Sequence, residues 1–480
     1  MRLQRREFLK KMGMAAATIG VLPLVGCQNQ RGKSRRQQQK PNIIYILADD
    51  LGYGDLGCFG QERIKTPNLD RMAAEGMRLT QHYAGSTVCA PSRCCLMTGK
   101  HTGHCTVRGN VDFLIKPDEV TVAKFLKQAG YATGCIGKWG IGHPSPPDGP
   151  RNNGFDFFFG YLSMWHAHNY YPDFLWKNGE KIPLRNVVRH PEKHYKENQE
   201  SLVGLASEKV DYSHDLFSDA ALVFIEQQKQ PFFLFLPYTI PHANNEAKQF
   251  GAHGMEVPDY GMYKDKDWPE PEKGKAAMIS RLDRDIGRLF DRLKALGIDK
   301  QTLVMFSSDN GPHKEGGVKP DFFDSNGLLK GVKRDLYEGG IRVPTIARWP
   351  GQIKAGSRCE HISAFWDILP TFAELAGAPV PKAIDGISMV PALLGKPQKQ
   401  HEFLYWEFHE GRSKQAVRMG DWKAIRRAPS RPIELYNLES DIGENNDIAD
   451  AHPAIVARAK DIFDNVRTDG DVWPLKDKTG

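Results

Sequence analysis

The feature that most constrains this chain is a set of short, uninterrupted apolar runs, each separated from the next by a segment with helical spacing. Asn42-Ile43-Ile44-Tyr45-Ile46-Leu47 ends at Ala48-Asp49-Asp50, and the run 302–307 ends at Ser308-Asp309-Asn310. Neither run alternates polar with apolar residues, so neither suits a strand with one face in water. Both read as strands buried on two faces, which is the habit of a parallel sheet. Segments 131–136 and 231–236 read the same way, and helical spacing is predicted over 66–79, 120–130, 217–228 and 276–296. In 66–79 the apolar positions are Leu69, Met72, Ala73 and Met77. Strands alternating with helices predict an α/β fold, a large, mixed but mostly parallel sheet sandwiched by helices. After about residue 395 the pattern changes to short strands at 402–408, 415–419, 422–427 and 434–437, then a helix at 454–464. The expected organisation is a main domain over 41–395 and a small antiparallel sheet with a helix over 396–480. No internal repeat is visible.

The first residues belong to an address label. Arg5-Arg6-Glu7-Phe8-Leu9-Lys10 is a twin-arginine pattern, an Ala- and Gly-rich apolar stretch covers 12–26, and Leu24-Val25-Gly26-Cys27 matches a lipobox. The apolar stretch falls short of the roughly 20 residues a membrane-spanning helix needs. Residues 1–27 are therefore expected to be a signal ending at a lipidated Cys27, and 28–40 a solvated tether. Twin-arginine export machinery carries folded chains, so folding and modification would precede export. The expected location is the bacterial envelope, anchored to the membrane by the N-terminal lipid. Gln28, where inner-membrane lipoproteins carry Asp, favours the outer membrane, facing the periplasm or the cell surface.

The net charge of +7 is concentrated in this leader. Residues 1–40 hold ten Lys and Arg against Glu7 alone, which is +9 and leaves 7 − 9 = −2 for the body. A basic surface for nucleic acid is thus absent, and any anion recognition must be local. The eight cysteines form no CxxC pair and no Cys/His finger, which argues against structural zinc. Cys94 and Cys95 are expected to be buried as small apolar residues, and no disulfide framework is expected.

Ligand sites in open α/β sheets lie outside the carboxyl ends of strands. Asp49, Asp50, Asp309 and Asn310 would converge there as an oxygen-only donor set for a hard cation, calcium first and magnesium next. Taken singly, each pair is equally a turn or a helix cap. In Cys89-Ala90-Pro91-Ser92-Arg93, Pro91 suits the first turn of a helix that would run to Gly99. Cys89 would sit just before that helix N-terminus, where free N–H groups favour anions, with Arg93 one turn on. On physics alone, a low-pKa thiolate nucleophile is a further reading.

The pattern Cys89-x-Pro91-Ser92-Arg93, continuing to Leu96-Met97-Thr98-Gly99, resembles the signature of type I sulfatases of the alkaline phosphatase superfamily. Other segments agree in order: Pro41-Asn42-Ile43 through Asp49-Asp50-Leu51-Gly52, Gly137-Lys138-Trp139, Pro241-His242, Ser308-Asp309-Asn310-Gly311, Tyr337-Glu338-Gly339-Gly340-Ile341-Arg342-Val343-Pro344 and Glu434-Leu435-Tyr436-Asn437-Leu438. The resemblance spans nearly all of 41–450. It implies that a maturation enzyme oxidises Cys89 to formylglycine. The hydrated aldehyde would attack the sulfur of a sulfate ester, and its second hydroxyl would expel the sulfate carried on position 89. It further implies a calcium ion held by Asp49, Asp50, Asp309, Asn310 and the modified Cys89. Arg93 would hold the diol, Lys138 and Lys333 would clamp sulfate oxygens, and His242 would protonate the leaving oxygen. Lys333 is placed by its distance before Tyr337, with Lys330 as competitor. One departure stands out: relatives carry His where this chain has Gly140, and His143 is a nearby substitute.

Candidate substrate residues are His104, Arg108 and Asn110 after the nucleophile helix, His313 after Asn310, and Trp165, His166 and His168 in an aromatic stretch. That stretch reads either as a wall for sugar rings or as rings packed under a long loop. An envelope-tethered sulfatase suits sulfated algal polysaccharides or glycosaminoglycans. The rival readings are a formylglycine-dependent phosphonate or phosphodiester hydrolase, a non-catalytic binder of sulfated glycans, and a plain cysteine hydrolase.

Overall fold

In the computed structural model, which describes residues 40–477 apart from 111–113, 117, 142–145, 147 and 192–201, the apolar runs pair as neighbours. Strand Asn42–Ala48 lies between Thr302–Ser308 and Phe232–Pro237, parallel to both, and Ala132–Lys138 and Phe157–Tyr161 continue the parallel block. Among the described residues the sheet has ten strands. Antiparallel strands flank the block on both sides: Thr345–Arg348 beside Thr302–Ser308, and Phe174–Lys177 beside Phe157–Tyr161. The leader through Cys27, most of the tether and His143 lie outside the described residues. No helix among the described residues is long and apolar enough to cross a membrane.

The strand period of two explains why these runs are apolar throughout. Ile43, Tyr45 and Leu47 enter a core shared with Leu96 of helix Cys89–Thr98 and with Leu369 and Phe372 of helix Ile368–Leu375. Ile44 and Ile46 enter the opposite core with Phe217 of Ser213–Gln227 and Leu282 and Ile286 of Glu270–Ala295. Each face is sealed by helices, so a polar residue on either would lose water with nothing in return. The long helix Glu270–Ala295 carries Glu270 and Glu272 in its first turn and Arg292 and Lys294 in its last, matching the dipole at both ends.

The helix predicted over 66–79 is shorter. It spans Pro67–Glu75 and gives way to strand Met77–Leu79. Gly76 makes the switch, where a Cβ would stand 2.3 Å from the carbonyl oxygen of Ala347, so the chain passes too close to strand Thr345–Arg348 for any side chain. Met77 reads as a helical position by spacing but is a buried strand position by pairing. The seven described cysteines are all free, and Cys94 and Cys95 are fully buried.

The C-terminal region forms a four-stranded antiparallel sheet, Leu404–Phe408, Lys414–Met419, Trp422–Arg426 and Ile433–Asn437, backed by helix Pro453–Asn465. A buried ionic knot ties it to the main domain. Lys423 Nζ lies 2.8 Å from Glu338 Oε1 and 3.1 Å from Glu444 Oε1, and all three side chains are fully buried. Glu338 opens the short helix Glu338–Ile341, and Gly340 of that helix accepts a hydrogen bond from the N–H of Gly311, next to Asn310. The small sheet thus braces the loop that carries Asp309 and Asn310 from behind.

Candidate active site

Strand register brings the acidic pairs together. Ala48 is paired with Ser308, so Asp49 and Asp309 leave adjacent strands side by side, with the Asp309 N–H on the Ala48 carbonyl at 3.1 Å. Asp50 turns back with φ of +64°, in the left-handed region that a short polar side chain tolerates. Its N–H then donates to Asp309 Oδ1 at 3.1 Å, while Asn310 Nδ2 donates to Asp50 Oδ1 at 2.7 Å. Ser308 Oγ accepts from Leu51 N–H and donates to the Asn310 carbonyl, both at 2.9 Å, and so pins the two loops together. All four donor residues are fully buried.

Three cations face these acids. Arg93 reaches Asp309 Oδ2 through Nε at 3.0 Å and Nη2 at 2.8 Å, and Asp49 Oδ2 through Nη2 at 3.2 Å. Lys138, the last residue of its strand, lies 2.7 Å from Asp49 Oδ2. Lys333 Nζ lies 2.8 Å from Asp50 Oδ2 and 3.1 Å from Glu315 Oε2. Lys330 points elsewhere, donating to the Glu444 carbonyl at 2.7 Å. Burial alone would raise the Asp49 and Asp50 carboxyls, but Lys138 and Arg93 for the first, and Lys333 for the second, hold both below the usual range. Asp309 goes the other way, pushed up to about 7 by burial and by the Asp49 charge despite Arg93. Three buried carboxylates are therefore crowded against one another even with three cations beside them. Two buried acceptors, Asp49 Oδ1 and Asn310 Oδ1, have no hydrogen-bond partner among the described residues. Orphaned hard oxygens beside crowded carboxylates are what a divalent cation with oxygen ligands would satisfy.

Cys89 is the first residue of helix Cys89–Thr98, one position further in than the sequence suggested, with Val88 as its N-cap. The surroundings do not favour a low-pKa thiolate there. Burial pushes the thiol up, and Asp49 and Asp309 oppose the lowering effect of Lys138. The Cys89 side chain meets Asn110, whose Oδ1 stands 3.7 Å from Sγ and accepts from the Ala90 N–H at 3.1 Å. His242 lies beside Asp50, with Nε2 3.4 Å from Asp50 Oδ2. Its Nδ1 faces the Ala243 carbonyl at 2.7 Å and must donate, so Nε2 carries the lone pair and accepts from Lys333 Nζ at 3.1 Å. Burial and then Lys333 push His242 down to about 3.

The candidate substrate residues divide by their surroundings. The His168 ring stacks on His242 with centroids 4.9 Å apart, and its Nδ1 is 3.0 Å from the buried Glu246. Trp165, half-buried, meets His168 edge-on at 5.7 Å. His166 belongs to the core instead: it packs on Tyr161 and Phe174, neither ring nitrogen has a partner among the described residues, and burial pushes it down to about 3. His313 is satisfied by backbone, with Nε2 on the Pro241 carbonyl at 3.1 Å and Nδ1 accepting from the Glu315 N–H at 3.0 Å. Arg108 is buried against Glu407 at 2.9 Å, and half-buried His104 pairs with Asp385 at 2.9 Å. Glu315 and Glu246 were not singled out in the sequence. Glu315 follows Asn310 closely enough to have been a candidate, but Glu246 carries no motif and is found only through His168.

Gly140 marks the departure from the family pattern. Its φ is +60°, and a Cβ there would stand 3.0 Å from Lys138 Cε. A side chain at this position would be strained and would push on the lysine that faces Asp49.

The Sulfatase family model matches residues 41–378, most of the chain. The chain belongs to the sulfatase family. A second model, that of the N-sulphoglucosamine sulphohydrolase C-terminal region, matches 331–468. The sulfatase is 29% identical to the N-acetylgalactosamine-6-O-sulfatase of Bacteroides thetaiotaomicron, over 94% of this chain and 98% of that one. It is 33% identical to human arylsulfatase A, over 88% and 87%. Among solved structures, Ps i-CgsB in complex with k-i-k-neocarrahexaose superposes with a TM-score of 0.73 at 30% identity, covering 92% of this chain and 96% of that one. The protein is thus a hydrolase of sulfuric esters with an alkaline phosphatase-like fold.

Proposed function

We propose that this sulfatase removes sulfate from sulfated saccharides, with residue 89 converted to formylglycine and a hard divalent cation, calcium before magnesium, held by Asp49, Asp50, Asp309 and Asn310. The observation that carries this reading is the pair of orphaned buried oxygens on Asp49 and Asn310, set among carboxylates within reach of the Arg93 guanidinium beside Cys89. When bound, the cation supplies Lewis acidity, and the hydrated aldehyde supplies the attacking oxygen. The rest is the work of this chain's own side chains. With a cation neutralising the acids, Lys138 and Lys333 are free to turn from Asp49 and Asp50 toward sulfate oxygens. Their charge is most useful where negative charge builds during transfer. Arg93, locked between Asp49 and Asp309, fixes the metal donors and the start of the nucleophile helix together. His242 Nε2, hydrogen-bonded to the Lys333 ammonium, faces the site with a proton-bearing group beside it.

The substrate class rests on the relatives. One is named for N-acetylgalactosamine 6-O-sulfate, and Ps i-CgsB was solved with a carrageenan-type oligosaccharide. Trp165 and His168 form the side of the site suited to a sugar ring, with His168 oriented by Glu246. We assign the chain, from its N-terminal pattern, to twin-arginine export and to a membrane anchor on Cys27, and its maturation to a formylglycine-generating enzyme.

Mass spectrometry of the tryptic peptide 79–93, from protein co-expressed with such an enzyme, tests the first half. Aldehyde or hydrate at residue 89 supports it, and a persistent thiol in an active enzyme sinks it. Sulfate release from a panel of sulfated galactose, N-acetylgalactosamine and glucosamine saccharides tests the second. Turnover confined to simple aryl sulfates would overturn the saccharide assignment.

A further inference from the structure

The family histidine is absent at Gly140, and the side chain of Asn110 lies beside residue 89. Asn110 Oδ1 stands 3.7 Å from Cys89 Sγ and is anchored by the Ala90 N–H at 3.1 Å. An amide oxygen only accepts, so the side chain of residue 89 must be the donor, as a thiol before conversion and as a hydroxyl after it. Asn110 sits on a loop, and its precision comes from the C-terminal subdomain. Arg108, two residues before it, is held by Glu407 at 2.9 Å and by the Cys105 carbonyl at 3.0 Å. Gly109, directly before it, lies under the ring of Trp473, where a Cβ would be 3.0 Å from Cζ3. Trp473 is itself fixed by its Nε1 donating to the Thr106 carbonyl at 3.0 Å and by Arg467 donating to its own carbonyl at 2.6 Å. Arg467 closes the circuit on Glu407 at 2.9 Å. The C-terminal family match ends at residue 468, so Trp473 lies beyond it.

We propose that Asn110 is the acceptor that positions a hydroxyl of the converted residue 89, and that Trp473 and Glu407 are positioning residues that act through Asn110. The proposal rests on the formylglycine reading. In it, Asn110 binds and orients a hydroxyl without taking its proton, and the C-terminal tail becomes part of the active site's framework.

The test uses full-length, converted enzyme, with residue 89 checked by mass in the 79–93 peptide for every variant. The first readout is the rate at which an aldehyde-directed hydroxylamine forms an oxime at residue 89. Loss of one hydrogen bond to the hydrate should release free aldehyde and speed this by about fivefold in Asn110→Ala, with Asn110→Asp, which still accepts, close to wild type. Turnover should fall at least tenfold in Asn110→Ala with little change in KM. Trp473→Ala should reproduce the faster oxime formation in part. In the Asn110→Ala background it should add nothing, because the two act through one contact. Converted Asn110→Ala with wild-type oxime rate and turnover overturns the role of Asn110. Additive effects of Trp473→Ala overturn the positioning role alone. Wild-type enzyme that turns over with an unconverted thiol overturns the formylglycine reading and this inference together.

Discussion

Replacing Lys423 with Met removes one charge from the knot between the small sheet and the loop behind the acidic site, at nearly unchanged side-chain length. In the native protein Lys423 stands between Glu338 and Glu444, with no exposure at any of the three. Burial alone would raise Glu338, but Lys423, then Arg342 and Arg418, outweigh it and hold the carboxyl at about 2 against an ordinary 4.5. At ~1.4 kcal/mol per tenfold change in acidity, that gap is worth about 3 kcal/mol of stability, with Lys423 the first of the three cations that lower it. The figure agrees with the roughly 3–5 kcal/mol lost when one partner of a buried pair is removed. Glu444 is already pushed up to about 7 by burial and by Glu338 against the lowering effect of Lys423, so removing Lys423 raises it further and adds to the loss at pH 7.5. The sign is set by a lowered folded pKa. The Glu338 contribution is fully present above about 4.5 and is lost as pH falls toward 2. Lys423→Met should therefore lower stability by about 3 kcal/mol at pH 7.5, and by progressively less below pH 4.5. Urea unfolding followed by tryptophan fluorescence, at pH 7.5 and pH 4, measures both. A loss under about 1 kcal/mol at pH 7.5, or an equal loss at both pH values, would refute the reasoning.

Removing metal should abolish turnover. EGTA-treated enzyme should lose sulfate release and regain it with calcium more fully than with magnesium, as read by ion chromatography of free sulfate. Lys138→Ala, at 2.7 Å from Asp49, should lower kcat by roughly 10²–10³ with the fold intact by circular dichroism. His166→Phe should leave KM for the preferred saccharide unchanged, because His166 is a core residue. Burial holds His166 at about 3 against 6.5, so its stability is present above pH 6.5 and lost as pH falls. The Phe variant should then gain about 2 kcal/mol over wild type at pH 5 and none from this source at pH 8, by thermal unfolding across pH.

Most of what positions the acidic site was legible because it follows from local pattern. A run such as Ile43-Ile44-Tyr45-Ile46-Leu47 admits one interpretation, and the acids that follow it must emerge at a strand end. Pairing, by contrast, is a long-range fact. Met77 satisfies helical spacing, and only the approach of strand Thr345–Arg348 to Gly76 turns it into a strand residue. The same limit separates His166 from His168. They are two residues apart in one aromatic stretch, yet one faces Phe174 in the core and the other lies flat on His242. No periodicity distinguishes them, because a 3-10 turn rather than a strand or α-helix sets their directions. Physics applied to the isolated Cys89 segment also misled. A helix N-terminus and a nearby Arg favour a thiolate, but Arg93 is already committed to Asp309 and Asp49, and burial wins. The charge that would have activated a thiol is spent on Asp309 and Asp49. That is the arrangement expected if the nucleophile at position 89 is not a thiol when the enzyme works, and its activation comes from the cation rather than from the helix.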